Sequence, residues 1–287
     1  MRNPVVAGRF YEGREKALRR QIEDCYRHSL GPGSLPEVNT EPPSHPAGWV
    51  VPHAGYLYSG PVAAFAFQDM ATRGVPDTVV VYGTQHYSTS SVAISYEDHL
   101  TPLGPCKVDR DLAEAVTRGP IEHHDYVHDR EHSLEVQLPF LQHLSPDTRI
   151  LPIAVGRISP ERAAEVGAVV REELGDRPFS VLASTDFTHN DFMHTATRDD
   201  LEWLRGRDRM AIDRILERDV KGLYDVVTEN DITMCGMPPV MAMLETVQGE
   251  TAELLKYACS AQVAPSSYVV GYAAIRIGPL EMDVLEK

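Results

Sequence analysis

The sequence lacks a long apolar run and is short of positive charge. No stretch of its 287 residues approaches the roughly 18 consecutive apolar residues of a membrane-spanning helix, and the opening MRNPVVAGRFYEG lacks the apolar core of a signal peptide. Only 27 Lys and Arg stand against 42 Asp and Glu, and the formal net charge of -15 repels phosphate backbones and anionic lipids. We therefore expect a cytoplasmic protein that binds neither nucleic acid nor membranes.

Cysteine is also scarce. The four cysteines are far apart and form no Cys-x-x-Cys pair, which excludes a disulfide scaffold and a four-cysteine zinc site. Cys25 and Cys259 fall in a predicted amphipathic helix and a predicted strand, as small buried residues do. Cys235 precedes a predicted helix start, where the partial positive charge of the helix favours a thiolate. It is therefore a candidate ligand or nucleophile, with a buried apolar role as the alternative.

Short β-branched apolar runs alternate with helical patterns through most of the chain. The predicted strands cover residues 49–51, 78–82, 92–95, 149–155, 179–184, 254–260 and 268–277, and the predicted helices cover residues 14–30, 61–73, 109–118, 131–143, 160–174, 199–217, 219–228 and 238–248. This alternation predicts one α/β domain over residues 1–287, with a central, largely parallel or mixed β-sheet and helices on both faces. The last two strands are candidates for antiparallel pairing.

Three residues predict local irregularities in these elements. Pro61 is expected in the first turn of its helix, and Pro139 is expected to bend or break the helix over residues 131–143. Gly271 predicts a bulge or a close backbone approach within its strand.

Three histidines follow three of the predicted strands. His53 comes after the run Trp-Val-Val-Pro, His86 after Gly-Thr-Gln, and His189 a few residues beyond residues 179–184. Because the carboxyl ends of parallel strands meet at one edge of a sheet, we expect the three imidazoles to share a crevice. Converging imidazoles with a soft or anionic partner suit a transition metal. The alternative is that each is an ordinary hydrogen-bonded loop histidine.

A second group of histidines is less regular. His123, His124, His128 and His132 lie in a polar stretch without a regular period, for which a solvated loop is the expectation. The Glu131-His132 pair opens a predicted helix, but its spacing is not that of the H-E-x-x-H zinc motif. Asp186, three residues before His189, is expected to orient a histidine or to cap a helix.

Five segments of the chain carry a resemblance to a known family. In this order, PHAGYLYSG, GTQH, EHSLEVQLPF, STDFTH and MCGMPP resemble the Memo family, including the Memo-like component of the AmmeMemoRadiSam system of archaea and bacteria. One such segment would be weak, whereas five in register are specific. The resemblance implies a fold similar to that of the class III extradiol ring-cleaving dioxygenases (LigB-like).

The resemblance also implies roles for individual residues. It places His53, His86 and Cys235 as ligands of a redox-active metal, iron or copper, and His189 as the catalytic acid/base. Cys235 stands where the dioxygenases have a carboxylate, and a thiolate shifts the preference from iron towards Cu(I) or zinc. After His189, residues 190–194 replace an aromatic-glycine pair that is common in the family, so a different pocket mouth is expected. Matching residues that look like pocket or supporting residues are Glu131, His132 and Asp186.

Three functions follow from this reading. The first is a metal-dependent, dioxygenase-like oxidoreductase acting on a small molecule or a peptide. The second is a non-catalytic adaptor that holds a peptide or partner in the same cleft. The third is a zinc-dependent hydrolase, because two His, one Cys and a water also suit catalytic zinc. The resemblance further implies AMMECR-like and radical SAM proteins as partners.

Overall fold

Strands and helices alternate as the apolar runs predict, in a computed structural model that describes residues 1–88, 92–175, 177–249 and 251–279. The helices are α1 (Glu15–Arg27), α2 (Tyr56–Arg73), α3 (Arg110–Val116), α4 (Asp125–His128), α5 (Leu138–Leu144), α6 (Pro160–Leu174), α7 (Arg198–Glu217), α8 (Val220–Glu229) and α9 (Met237–Val247), with 3₁₀ turns at Glu135–Gln137 and Ser260–Gln262. The strands are β1 (Ala47–Val51), β2 (Thr78–Thr84), β3 (Val92–Ile94), β4 (His99–Thr101), β5 (Gly104–Cys106), β6 (Glu122–His123), β7 (Arg149–Val155), β8 (Ser180–Ser184), β9 (His189–Asp191), β10 (Ala252–Cys259) and β11 (Tyr268–Ile277).

The central sheet is mixed, with a parallel middle. Its strand order is β10-β11-β1-β8-β2-β7-β3-β6, and β9 pairs with β11. The neighbours β1, β8, β2 and β7 are parallel, whereas β11 is antiparallel to β1, β10 to β11 and β3 to β7. The predicted α/β fold and the antiparallel C-terminal strands are confirmed.

The parallel strands are buried because helices cover both faces of the sheet. Helix α2 packs on β1, β10 and β11 with α1 and α5 behind it, while α9 packs on β1, β2 and β8 and is itself covered by α6. All five residues of β1 and of β8 are buried. Strands covered on both faces read as continuous apolar runs, which is why the sequence pattern located them.

Strand β8 lies between β1 and β2, and this position brings their carboxyl ends together. Val51 pairs with Ser184, and Tyr82 pairs with Ala183. The segments that follow these strands therefore leave the sheet side by side. They carry His53, Asp186 and His86.

The prediction that α2 begins at Pro61 is wrong, because the helix starts five residues earlier. Gly55 is the extended residue before the helix, and the Tyr56 N–H donates to the Phe10 carbonyl at 2.7 Å. Pro61 consequently lies in the second turn, where it has no N–H to donate to the preceding turn. The apolar pattern identified the helix but not its first residues.

The predicted helix over residues 131–143 is also wrong in its first half. The Glu131 carboxylate accepts the backbone N–H groups of His132 and Ser133, both at 2.8 Å, and these bonds hold the chain in a non-helical turn. The α-helix begins only at Leu138, so Pro139 lies at its start and does not bend it.

Gly271 marks a close approach rather than a bulge. The register irregularity of the β10–β11 pair falls between Leu254 and Lys256, not at Gly271. A Cβ atom on Gly271 would lie 1.8 Å from Asp208 Oδ2. Asp208 is buried and accepts hydrogen bonds from the Thr188 N–H at 2.8 Å and the Tyr257 hydroxyl at 2.7 Å, so it has no room to move.

Helices in the described ranges are too short or too polar to cross a lipid bilayer.

We predict that Gly271→Ala lowers the free energy of unfolding by about 2 kcal/mol, because the new methyl group overlaps a fixed carboxylate. The matched control is Gly206→Ala on α7, where a Cβ would meet nothing within 4 Å. It should raise the stability by up to about 1 kcal/mol, because alanine favours a helix. Urea unfolding followed by circular dichroism measures both changes, and equal effects of the two substitutions would contradict the assignment.

Candidate metal centre

Hydrogen bonding fixes the ring of His53 and leaves one ring nitrogen free to bind a metal. His53 follows β1, and its buried ring places Nδ1 3.0 Å from Ser184 Oγ. The Ser184 hydroxyl donates its only proton to the Ser133 carbonyl at 2.7 Å, so it accepts a hydrogen bond from His53. Nδ1 therefore carries the proton, and the lone pair of Nε2 lies 3.2 Å from Cys235 Sγ.

His86 is held in the same tautomer by a different partner. After β2, its Nδ1 lies 2.9 Å from Glu131 Oε1, and its backbone N–H donates to Glu131 Oε2 at 2.7 Å. An ionised carboxylate only accepts hydrogen bonds, so Nδ1 is the protonated nitrogen of His86. Its Nε2 is also available as a ligand. A histidine ligand oriented by a carboxylate is common at metal sites.

Cys235 reaches the two histidines from the loop before α9. The Thr84 hydroxyl donates to its carbonyl at 2.8 Å, and the Gly236 N–H donates to Thr185 Oγ1 at 2.9 Å. A side chain at position 236 would place Cβ 2.3 Å from the Ser184 carbonyl. Gly236 thus allows this loop to lie against the end of β8, with Cys235 beside His53.

These three residues form a donor set that fits a transition metal. One ligand atom each from His53, His86 and Cys235 lies within 4.8 Å of the others. Two imidazole nitrogens and one sulfur suit iron, copper or zinc. His86, Glu131 and His132 also form a cluster of this size. However, the Glu131 carboxylate already accepts two bonds from His86 and two from the following backbone, so it serves as a support for His86.

Burial sets the charge states of the ligands. It lowers the pKa of His53 to about 3, with help from the nearby His86, so the His53 imidazole is neutral at pH 7. Burial alone would raise the pKa of Glu131, but hydrogen bonds from His86 lower it to about 2. Burial and the Asp186 carboxylate raise the pKa of Cys235. In the metal-free chain, desolvation therefore opposes the thiolate that the helix start favours.

Two more of the expected residues support the cluster. Asp186 Oδ1 accepts the backbone N–H of His53 at 2.8 Å and that of Ala54 at 3.3 Å, so it orients a histidine loop and does not cap a helix. Burial raises the pKa of this carboxyl group. The His132 ring stacks on His86 with ring centroids 4.6 Å apart and lies edge-on to His53 at 5.5 Å.

His189 stands at the start of β9, on the Cys235 side of the site. Its N–H donates to Thr233 Oγ1 at 2.7 Å, and its Nδ1 lies 3.2 Å from the Thr233 carbonyl, two residues before Cys235. A positive charge on His189 would lower the pKa values of His53 and Asp186, which places it within electrostatic reach of both. Among the described contacts, no hydrogen bond joins it directly to the three clustered residues.

The other histidines of the 123–132 segment lie apart from this site. His123 pairs with Asp125 at 2.9 Å and His124 with Glu122 at 3.0 Å, both at the surface as expected. His128 does not fit the expected solvated loop, because it is buried and its Nε2 lies 3.1 Å from the Ala93 carbonyl.

Sequence analysis predicted Glu131 and Asp186 as supports of the ligands but missed Ser184 and Gln137. Ser184 fixes the His53 tautomer, and the Gln137 side-chain amide donates to the Ser184 hydroxyl at 2.8 Å and to the Pro52 carbonyl at 3.1 Å. Both residues fall inside the segments STDFTH and EHSLEVQLPF. Each is a polar residue in an otherwise apolar strand end or predicted helix, and this pattern could have identified both as supporting residues.

Comparisons with known proteins identify related sequences and a related fold. The sequence model described as "Memo-like protein" matches residues 2–276. A MEMO1 family protein of Methanopyrus kandleri is 42% identical over 286 residues, which is 96% of this chain and 98% of the relative. A MEMO1 family protein of Desulfurococcus amylolyticus is 39% identical, with the same coverage.

A solved structure shares the fold at much lower identity. The crystal structure of an uncharacterized protein from Escherichia coli K12 superposes with a TM-score of 0.56 at 13% identity. The match covers 82% of this chain and 100% of that protein.

We predict that His53 and His86 both carry their ring proton on Nδ1 in the metal-free protein at neutral pH. Long-range ¹H–¹⁵N spectra distinguish the two nitrogens of each ring. Ser184→Ala should abolish the preference at His53, because it removes the acceptor, and should leave His86 unchanged. A proton on Nε2 of either residue in the unmodified protein would contradict the assignment.

Proposed function

This chain belongs to the Memo family, and we propose that it is a metal-dependent oxidoreductase of the dioxygenase-like type. The proposed metal is iron or copper, held by His53, His86 and Cys235. The observation that carries the proposal is the convergence of their ligand atoms within 4.8 Å. The tautomers support it, since each histidine directs a lone pair away from its hydrogen-bonded support.

Such a metal, when bound, supplies redox and Lewis-acid chemistry at the end of the sheet. The chain supplies the positioning. Glu131 and Ser184 fix the two imidazoles, and Asp186 fixes the backbone on which His53 stands. Supports of this kind raise metal affinity by holding the ligands in place before binding.

His189 is the proposed acid/base. Its backbone is anchored to Thr233 beside the Cys235 loop, and a bond from Nδ1 to the Thr233 carbonyl leaves Nε2 to exchange a proton with a substrate. Imidazole is the side chain that most often serves as a general acid and base in enzymes. His132, stacked on His86, lies beside the same donor set.

We predict that the protein purified without oxygen contains stoichiometric iron or copper, and that Cys235→Ala loses it. Cys259→Ala is the matched control, because this cysteine is buried in β10 outside the cluster. Mass spectrometry of the metal content measures both. A wild-type chain without any transition metal, even after reconstitution, would refute the proposal. Zinc alone, with hydrolysis that persists without oxygen, would favour the zinc hydrolase instead.

We also predict that Glu131→Gln lowers metal affinity by about 10- to 100-fold while all three ligands remain. The substitution removes the charge that orients His86 and keeps the size of the side chain. Competition with a chromogenic chelator measures the affinity. An unchanged affinity would show that Glu131 serves only the fold.

A further inference from the structure

A cleft opens beside the cluster, and the proposed oxidoreductase function does not explain its lining. The cleft has a volume of about 700 Å³, and His86 and Cys235 form part of its wall. Its lining also includes residues 156–159, which follow β7, and Tyr224 and Thr228 on α8. A cavity of this size accommodates a small molecule.

Sheet register places an arginine next to the cluster. Strands β2 and β7 are parallel neighbours, and their pairing ends with Thr84 opposite Val155. His86 comes two residues after Thr84, and Arg157 comes two residues after Val155. The same strand ends therefore deliver a metal ligand and a guanidinium group to one cleft.

Arg157 has no acidic partner among the residues that the structure describes. It takes part in no hydrogen bond or ion pair with any residue in the described ranges, whereas Arg162, in the first turn of α6, pairs with Glu165 at 2.7 Å. The lining residues identified for this cleft include no Asp or Glu. In a chain with 42 acidic residues and a net charge of -15, the lining identified for this cleft thus carries a guanidinium group beside the cluster and no carboxylate.

Two helix starts add to the positive potential of the cleft. Ser159 caps α6, and Met237 and Pro238 open α9, and all three line the cavity. The amino ends of helices carry a partial positive charge. Asp225 and Glu229 of α8 each follow a lining residue in sequence, but neither is among the lining residues itself.

We propose that this cleft binds a small anionic substrate, whose carboxylate or phosphate group pairs with Arg157 while the rest of the molecule reaches His86 and Cys235. A guanidinium group matches either anion with two parallel hydrogen bonds. That the bound anion is a substrate rests on the proposed metal function. That the cleft binds an anion at Arg157 does not depend on that function.

The test is a calorimetric titration of the metal-free protein at low salt with inorganic phosphate and, separately, with benzoate. We expect saturable binding of at least one of the two, and the comparison identifies the preferred acidic group. Arg157→Ala should weaken that binding at least tenfold. Arg162→Ala, which removes the same charge outside the cleft, should change it less than twofold. Binding should also shift the His86 ring resonances, which reports its location.

The proposal is overturned if neither anion binds, or if the two arginine variants bind alike. Metal uptake by the same variants separates the two proposals. If the protein takes up the metal but Arg157→Ala does not change the anion affinity, only the anion site is overturned. Arg157-dependent anion binding in a chain that takes up no transition metal would support the anion site and refute the metal centre. Circular dichroism confirms that the exposed Arg157→Ala change leaves the fold intact.

Discussion

The site depends on one geometric constraint, the meeting of three parallel strand ends. Strand β8 lies between β1 and β2, and the polar residues at its end serve the histidine that follows β1. His53 and His86 are separated by more than 30 residues in sequence, and only the sheet brings them together. Cys235 is supplied by a separate loop that packs against the end of β8 through Gly236. A shift of any of these strands would move the ligand atoms apart.

Burial then determines how the cluster is supported. Burying a polar group costs free energy unless the group is hydrogen-bonded within the protein. Each buried ligand side chain therefore needs a hydrogen-bonding partner. Glu131 is nearly inaccessible to solvent and is satisfied by N–H groups from His86, His132 and Ser133. The Arg2 guanidinium donates to the Glu131 carbonyl and pairs with Glu135 at 2.9 Å, so the amino-terminal segment braces the same turn. The network fixes both the tautomers and the positions of the imidazoles.

Sequence patterns predicted the strands and helices that show a regular apolar pattern. They did not predict the segments whose structure depends on a single side chain. Continuous apolar runs located β1, β2, β7 and β8, and their ends pointed to His53 and His86. The same reasoning extended a helix through Glu131, because no periodicity reveals that a carboxylate will capture the backbone beside it. Strands β4, β5, β6 and β9 have two or three residues each, too few to show a pattern. The burial of Cys235 and the exposure of Arg157 depend on tertiary packing, which a local sequence pattern does not reveal.

An anomalous diffraction experiment on crystals soaked with iron or copper is the direct test of whether His53, His86 and Cys235 form one metal centre. We predict an anomalous peak at the absorption edge of the metal, within about 2.0–2.4 Å of both Nε2 atoms and of Sγ. A peak bound instead by His86, Glu131 and His132, or no peak in this cleft, would contradict it.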